Sequence, residues 1–232
     1  MDALRSVCGP LSALLRYPGA DFRTRLQEAT DSMGDVWPEA AEALGKFSQM
    51  VGLVDPAKLE ELFTKTFEIQ AICCLEVGYV LFGEDYRRGI FLAQIKDEHR
   101  HAGHDCGLEL GDHLSNVIAL LGLSDREELR QDLAAVTIPA VRSMLEGFAE
   151  DRIRARIGKL RQQHEAVIQE ELNYGNPYRF ALMAVLHLLE TGFPDVAGIE
   201  LERSRRVIEI HSEEAVSAGL DTERGGIFAN SY

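Results

Sequence analysis

Residues 79–122 read YVLFGEDYRRGIFLAQIKDEHRHAGHDCGLELGDHLSNVIALLG, and the texture of the chain changes several times within them. An apolar helix end stops at Phe82-Gly83, and the polar pair Glu84-Asp85 makes a turn. A second helix is expected from Tyr86 to about Gly103, with Arg87-Arg88-Gly89 in its first turn. A glycine-containing loop follows, and Asp112-His113-Leu114 opens a third, strongly apolar helix. Asp112 is placed as its N-cap, because a carboxylate accepts hydrogen bonds from the unpaired N–H groups of a first turn. Helix follows helix here without strand signals, which sets an all-α expectation for the chain.

The flanking sequence continues that pattern. Residues 4–16 form an amphipathic helix with Leu4, Val7, Leu11, Leu14 and Leu15 on one side, ended by Tyr17-Pro18 because the residue before proline leaves helical geometry. A charged helix spans 21–33. Pro38 sits near the first position of another, where its missing N–H costs nothing, and Ala40, Leu44, Phe47 and Val51 supply the apolar stripe. Asp55-Pro56 caps the next, with Leu59, Leu62, Phe63, Thr66 and Phe67 inward. Residues 71–82 are apolar on most sides and read as a central core helix; a buried strand is the alternative for so short a run. Ser124 and Glu127 have capping-box spacing, and Pro139 is expected to bend or break the helix they start. A long charged helix covers 152–172. Asn173-Tyr174-Gly175-Asn176-Pro177 is a stop and restart, and residues 178–190 return to the core. The division is therefore one helical domain, residues 1–190, and an irregular tail, 191–232, in which 206–211 alternate like an isolated short strand.

Composition limits function. With 24 basic and 38 acidic residues the net charge is −14, the wrong sign for neutralising nucleic-acid phosphates and the right one for a basic peptide or for plain solubility. No apolar run is long enough for a membrane span, and residues 1–19 lack the pattern of a secretory signal. Cys8, Cys73, Cys74 and Cys106 have no framework spacing and read as reduced thiols of a cytoplasmic protein.

Several chemistries find no support. Nucleophile-elbow, phosphate-loop and dinucleotide patterns are absent. His99, His101, His104 and Cys106 form the one metal-like cluster. Glu98 and His101 have the Glu-x-x-His spacing of di-iron bundles, but no second such pair exists. Zinc needs fewer ligands; solvated histidines at a polar helix end are the plainer account, so no metal is assigned. Asp112-His113 as an acid–base pair competes with an ordinary helix start. A peptide groove is the remaining reading, with Leu75, Tyr79 and Phe82 as apolar wall and Glu68, Glu76, Glu84, Asp85 and Asp112 as negative charge. Ordinary core packing is the alternative for each apolar residue.

Five segments resemble the assembly chaperones of molybdenum oxidoreductases, of the nitrate reductase delta-subunit (NarJ) type and more distantly TorD and DmsD. Leu14-Leu15-Arg16-Tyr17-Pro18 is similar to that family's opening helix with its terminal Tyr-Pro. Phe63-Thr64-Lys65-Thr66-Phe67-Glu68 is similar to its Tyr-x-x-Thr-Phe-Asp segment. Phe82-Gly83-Glu84-Asp85-Tyr86-Arg87-Arg88-Gly89 resembles its turn with a closing Arg-Gly, and Glu109-Leu110-Gly111-Asp112-His113-Leu114 its Glu-Leu-Pro-Asp-His-Leu. Asn176-Pro177-Tyr178 matches a Ser-Pro-Tyr. Gly111 replaces the family's proline, the surroundings of Tyr79 differ, and the 152–172 helix is longer. These departures point to a client acting on hydrocarbons, sulfur compounds or oxyanions.

The resemblance implies an all-α, single helical-bundle domain with an extended C-terminal tail. It implies a cytoplasmic chaperone and not an enzyme. Such a chaperone binds the N-terminal segment, a twin-arginine signal or its remnant, of a molybdenum catalytic subunit. It holds that subunit for insertion of molybdopterin guanine dinucleotide before export or docking, with no cofactor of its own and no membrane insertion. Monomer and homodimer stay open. On this basis Leu75, Tyr79, Phe82, Glu84, Tyr86, Arg88, Asp112 and His113 are assigned to client binding. The alternative is a helical metal protein built on the histidine cluster.

Overall fold

The structure, a computed structural model, describes residues 2–162 and 175–200. The continuation of the charged helix past Gln162 and the 206–211 segment lie outside the described residues. Helices occur in the order α1 (Asp2–Leu14), α2 (Phe22–Met33), α3 (Pro38–Val51), α4 (Pro56–Phe67), α5 (Val77–Phe82), α6 (Tyr86–His101), α7 (Leu114–Leu123), α8 (Glu127–Glu146), α9 (Glu150–Gln162) and α10 (Tyr178–Gly192). Among the described residues there are no strands, and the fold is all-α.

The stripes expected of α1, α3 and α4 are the ones buried. Leu4, Val7, Leu11, Leu14 and Leu15 face the core, as do Ala40, Leu44, Phe47, Val51, Leu59, Leu62, Phe63, Thr66 and Phe67. Pro38 starts α3, and Asp55 caps α4 by accepting the Ala57 N–H at 3.0 Å. α7 and α10 lie innermost. α7 packs on α1 and α8, and α10 on α3 and α8; the buried residues of α7 run unbroken from Leu114 to Leu121. A helix without a polar face has to be enclosed by others.

Four expectations about elements need correcting. Residues 71–76 are not helical; only Val77–Phe82 is. The backbone there is drawn out because loop 112–114 lies alongside it: Leu114 N–H donates to Leu75 O and Val77 N–H to Asp112 O, both at 2.8 Å, with one antiparallel bridge between Glu76 and His113. Ser124 forms no capping box, since its hydroxyl accepts the Arg126 N–H at 3.1 Å, one residue short of Glu127. Pro139 does not break α8, which runs through it with every residue from Leu133 to Val141 buried; packing on all sides outweighs the lost backbone hydrogen bond. Finally, residues just past the expected boundary at 191 belong to the core, because Phe193 and Val196 are buried in it.

Three of the five quoted segments meet in one aromatic cluster. Tyr17 packs edge-on to Phe63 at 5.6 Å, and Tyr178 contacts Phe63 at 5.6 Å and Phe67 at 5.0 Å. Asn176 Nδ2 donates to Thr66 Oγ1 at 2.8 Å, and its Oδ1 accepts the Tyr178 N–H at 3.0 Å. The other two segments meet at the site described next.

Candidate functional site

The turn between α5 and α6 and the loop between α6 and α7 come together at Asp112. Asp85 caps α6, its carboxylate accepting the Arg87 N–H at 3.0 Å and pairing with Arg87 Nη2 at 3.0 Å. This leaves Arg88 on the inner side of the first turn, where its Nε donates to Asp112 Oδ2 at 3.3 Å and its guanidinium lies 5.3 Å from the centre of the Tyr79 ring. Asp112 is wholly enclosed and its Oδ1 has no hydrogen-bond partner. Burial pushes its carboxyl above the ordinary aspartate range, Arg88 opposes that shift and Glu76 adds to it.

A glycine makes the burial possible. A Cβ on Gly78 would stand 2.7 Å from Asp112 Oδ2 and 2.9 Å from Phe91 Cδ1, so no larger residue fits without displacing one of them. Gly78 is the close-packed position of this site that the sequence reading passed over. Its signal was a glycine inside an apolar helical run, where it costs stability unless close packing requires it.

The N-cap assignment shifts by one residue. His113, not Asp112, caps α7: its Nδ1 accepts the Ser115 N–H at 3.3 Å and stands 2.7 Å from Ser115 Oγ. Burial, then the positive charge of Arg16, pushes the His113 pKa down to about 4. Asp112 turns to Arg88 and His113 to Ser115, so the two are not an acid–base pair.

The assigned residues therefore divide. Leu75 and Phe82 are buried, which corrects their placement as an accessible wall and makes them core, the alternative weighed for them; Asp112 and His113, assigned to client binding, are buried as well. Tyr79 is partly exposed, Glu84 and Tyr86 are exposed, and Arg88 is half-buried. The 103–113 loop presents Leu108 and Leu110 to solvent, and Ile69 is exposed after α4. Glu109 joins Glu76 and Glu68: its carboxyl is raised by burial first and then by the negative charge of those two, with Arg16 opposing. Glu109 was named only as part of a motif, since its proximity to Glu68 and Glu76 depends on the bend at 70–76.

Arg16 ties the first segment to the same region, donating to Asn116 Oδ1 at 2.8 Å. The histidine cluster lies next to it. His99 is buried, contrary to the solvated placement, with Nε2 2.9 Å from Gly111 O. His101 is exposed. Glu98 is also buried and pairs with Arg126 Nη1 at 2.7 Å, so Glu98 and His101 do not act as a ligand pair. The four cysteines are free thiols, and no described helix is long and apolar enough to cross a membrane. Compared with family models and with curated proteins, the chain matches none.

Proposed function

We propose that this protein is a cytoplasmic, client-specific chaperone that binds the N-terminal segment of a molybdenum oxidoreductase catalytic subunit and holds it for cofactor insertion. The observation that carries this reading is the surface at the start of α5, where the 103–113 loop lies alongside residues 75–77. Partly exposed Tyr79 and exposed Ile69, Leu108 and Leu110 border the carboxylates of Glu68, Glu76 and Glu109. An apolar patch beside clustered acids is complementary to a segment that carries adjacent arginines followed by an apolar stretch. The resemblance stated above adds the client class. Its five segments do structural work in pairs, Tyr17 with Phe63, Thr66 with Asn176 and Arg88 with Asp112, so their likeness speaks for a shared framework. The exposed patch is what speaks for binding.

In this reading the chain catalyses nothing. The client receives molybdopterin guanine dinucleotide, and the chaperone supplies the time and the open conformation. Asp112, Arg88 and His113 position the 103–113 loop beneath the patch and do not touch the client. The test is direct binding of the purified chain to a synthetic peptide of the N-terminus of a cofactor-free molybdenum subunit, alongside Leu110→Asp. Binding that is lost in Leu110→Asp while its unfolding transition is unchanged supports the proposal. No binding by the folded wild type, or equal binding by Leu110→Asp, overturns it.

A further inference from the structure

The end of α6 and the loop after it bring three ligand-type side chains together. Donor atoms of His99, His104 and Cys106 all lie within 4.8 Å of one another, and the two imidazole centroids are 5.1 Å apart. Hydrogen bonds fix which nitrogen each ring offers. His99 Nε2 is 2.9 Å from the Gly111 carbonyl oxygen. A carbonyl only accepts, so Nε2 carries the proton and Nδ1 keeps its lone pair. That Nδ1 is buried on a side chain 2% exposed and has no hydrogen-bond partner. A buried, unpaired acceptor of this kind calls for an explanation.

His104 is held in the same tautomer. Its Nε2 lies 3.2 Å from Asn116 Oδ1. The orientation of that amide is settled by its other partners. Asn116 Nδ2 donates to the carbonyls of Leu110 at 2.9 Å and Cys106 at 3.3 Å, while Oδ1 accepts from Arg16 at 2.8 Å. His104 must therefore donate through Nε2, and its Nδ1 is the lone-pair nitrogen. Two rings each give one N–H to an oxygen and keep the other nitrogen unprotonated, and each ring has a nitrogen within 4.8 Å of the Cys106 sulfur. That is the outer arrangement that orients metal-bound histidines.

We propose that His99 Nδ1, His104 Nδ1 and Cys106 Sγ hold one Zn²⁺, with solvent in the fourth position. Two imidazoles and a thiolate are a donor set that zinc takes readily, at about 2.0–2.1 Å to nitrogen and about 2.3 Å to sulfur. Those bond lengths require donors roughly 3.3–3.6 Å apart, so the three close slightly on the ion; half-buried Cys106 sits on a loop and His99 on a helix. Binding displaces the Cys106 thiol proton to solvent. His101 is exposed and Glu98 is committed to Arg126, so neither joins. The ion pins the loop bearing Leu108 and Leu110 to the end of α6, a role that does not rest on the chaperone reading.

The test uses the full chain, stripped with a chelator, dialysed and titrated with Co²⁺ and then Zn²⁺. One equivalent of Co²⁺ is expected to give tetrahedral d–d absorption with a thiolate-to-cobalt charge-transfer band, both erased by Zn²⁺. Cys106→Ser should lose the charge-transfer band, and His104→Ala should bind Co²⁺ about tenfold or more weakly. His101→Ala should match wild type, with circular dichroism verifying that each variant is folded. Weak six-coordinate absorption in the folded wild type, or a charge-transfer band that survives in Cys106→Ser, overturns the assignment.

Discussion

A histidine that caps a helix by accepting a backbone N–H does so only while its accepting nitrogen is unprotonated. His113 Nδ1 receives the Ser115 N–H, so protonation removes the cap and places a second positive charge near Arg16. Its pKa falls from 6.5 to about 4 on folding, through burial first and Arg16 second. A lowered folded-state pKa means the unfolded chain binds the proton first. The contribution of His113 to stability is therefore complete above pH 6.5 and is lost as pH falls toward 4, by about 1 kcal/mol per pH unit within that window. Asp112 acts with the opposite sign, because its raised pKa gives a contribution complete below 3.8 that fades as pH rises. The expected outcome is that His113→Asn, which keeps a capping side chain, flattens the fall in stability between pH 6.5 and about 4.5. Urea unfolding across that range checks it, and an unchanged slope would show that His113 does not titrate there. The sequence placed a cap at 112–113 but on the wrong residue. Aspartate is the stronger capping type, and only the space left by Gly78, seen in three dimensions, draws its carboxylate inward to Arg88.

At the scale of elements, α1 and α7 cross at Gly122. A Cβ there would stand 2.6 Å from Cys8 Cβ and 3.7 Å from Arg5 O. Because α1 covers one side of the enclosed helix α7, a forced separation opens the core and does not stay local. Gly122→Ala is predicted to destabilise the protein by about 1–3 kcal/mol, read as a lower denaturant midpoint with an unchanged slope. Cys8→Ala in the same chain should not restore the loss, since the clash is with the Cβ that alanine keeps; recovery in that double variant would place the strain on the thiol instead. Periodicity made most elements legible: the buried stripes of α1, α3 and α4 were predicted residue by residue. It failed where a neighbour decides conformation. Residues 71–76 are as apolar as a core helix, yet their backbone pairs with loop 112–114, far away in sequence. Pro139 carries the local signal of a break, and the buried surroundings of α8 override it. Ser124 and Glu127 had the right spacing for a cap, but that spacing does not set the backbone turn which brings Ser124 to Arg126 instead.

For the whole molecule, a net charge of −14 sets a field that attracts any cationic segment, and only its local shape can make the attraction selective. Exposed charges act over roughly 10 Å at 0.1 M salt, so the acids that steer a peptide onto the surface at the start of α5 are those beside it. Glu68 and Glu76 are the two whose charge the bend at 70–76 brings to bear on Glu109. Removing three charges from 38 acidic residues barely changes the global field but erases this local one. Glu68→Gln, Glu76→Gln and Glu109→Gln combined should weaken binding of a peptide with adjacent arginines and an apolar run by about tenfold at low salt, mostly through a slower on-rate. The variant should also bind with a visibly flatter dependence on salt, converging with wild type as screening removes the electrostatic share. A control triple substitution on the α2–α3 side, Glu28→Gln, Asp31→Asn and Asp35→Asn, takes away the same formal charge and should leave affinity and salt slope unchanged. Equal losses in both triple variants would mean that net charge alone attracts the peptide. An unchanged affinity in the first would move the binding surface away from the start of α5.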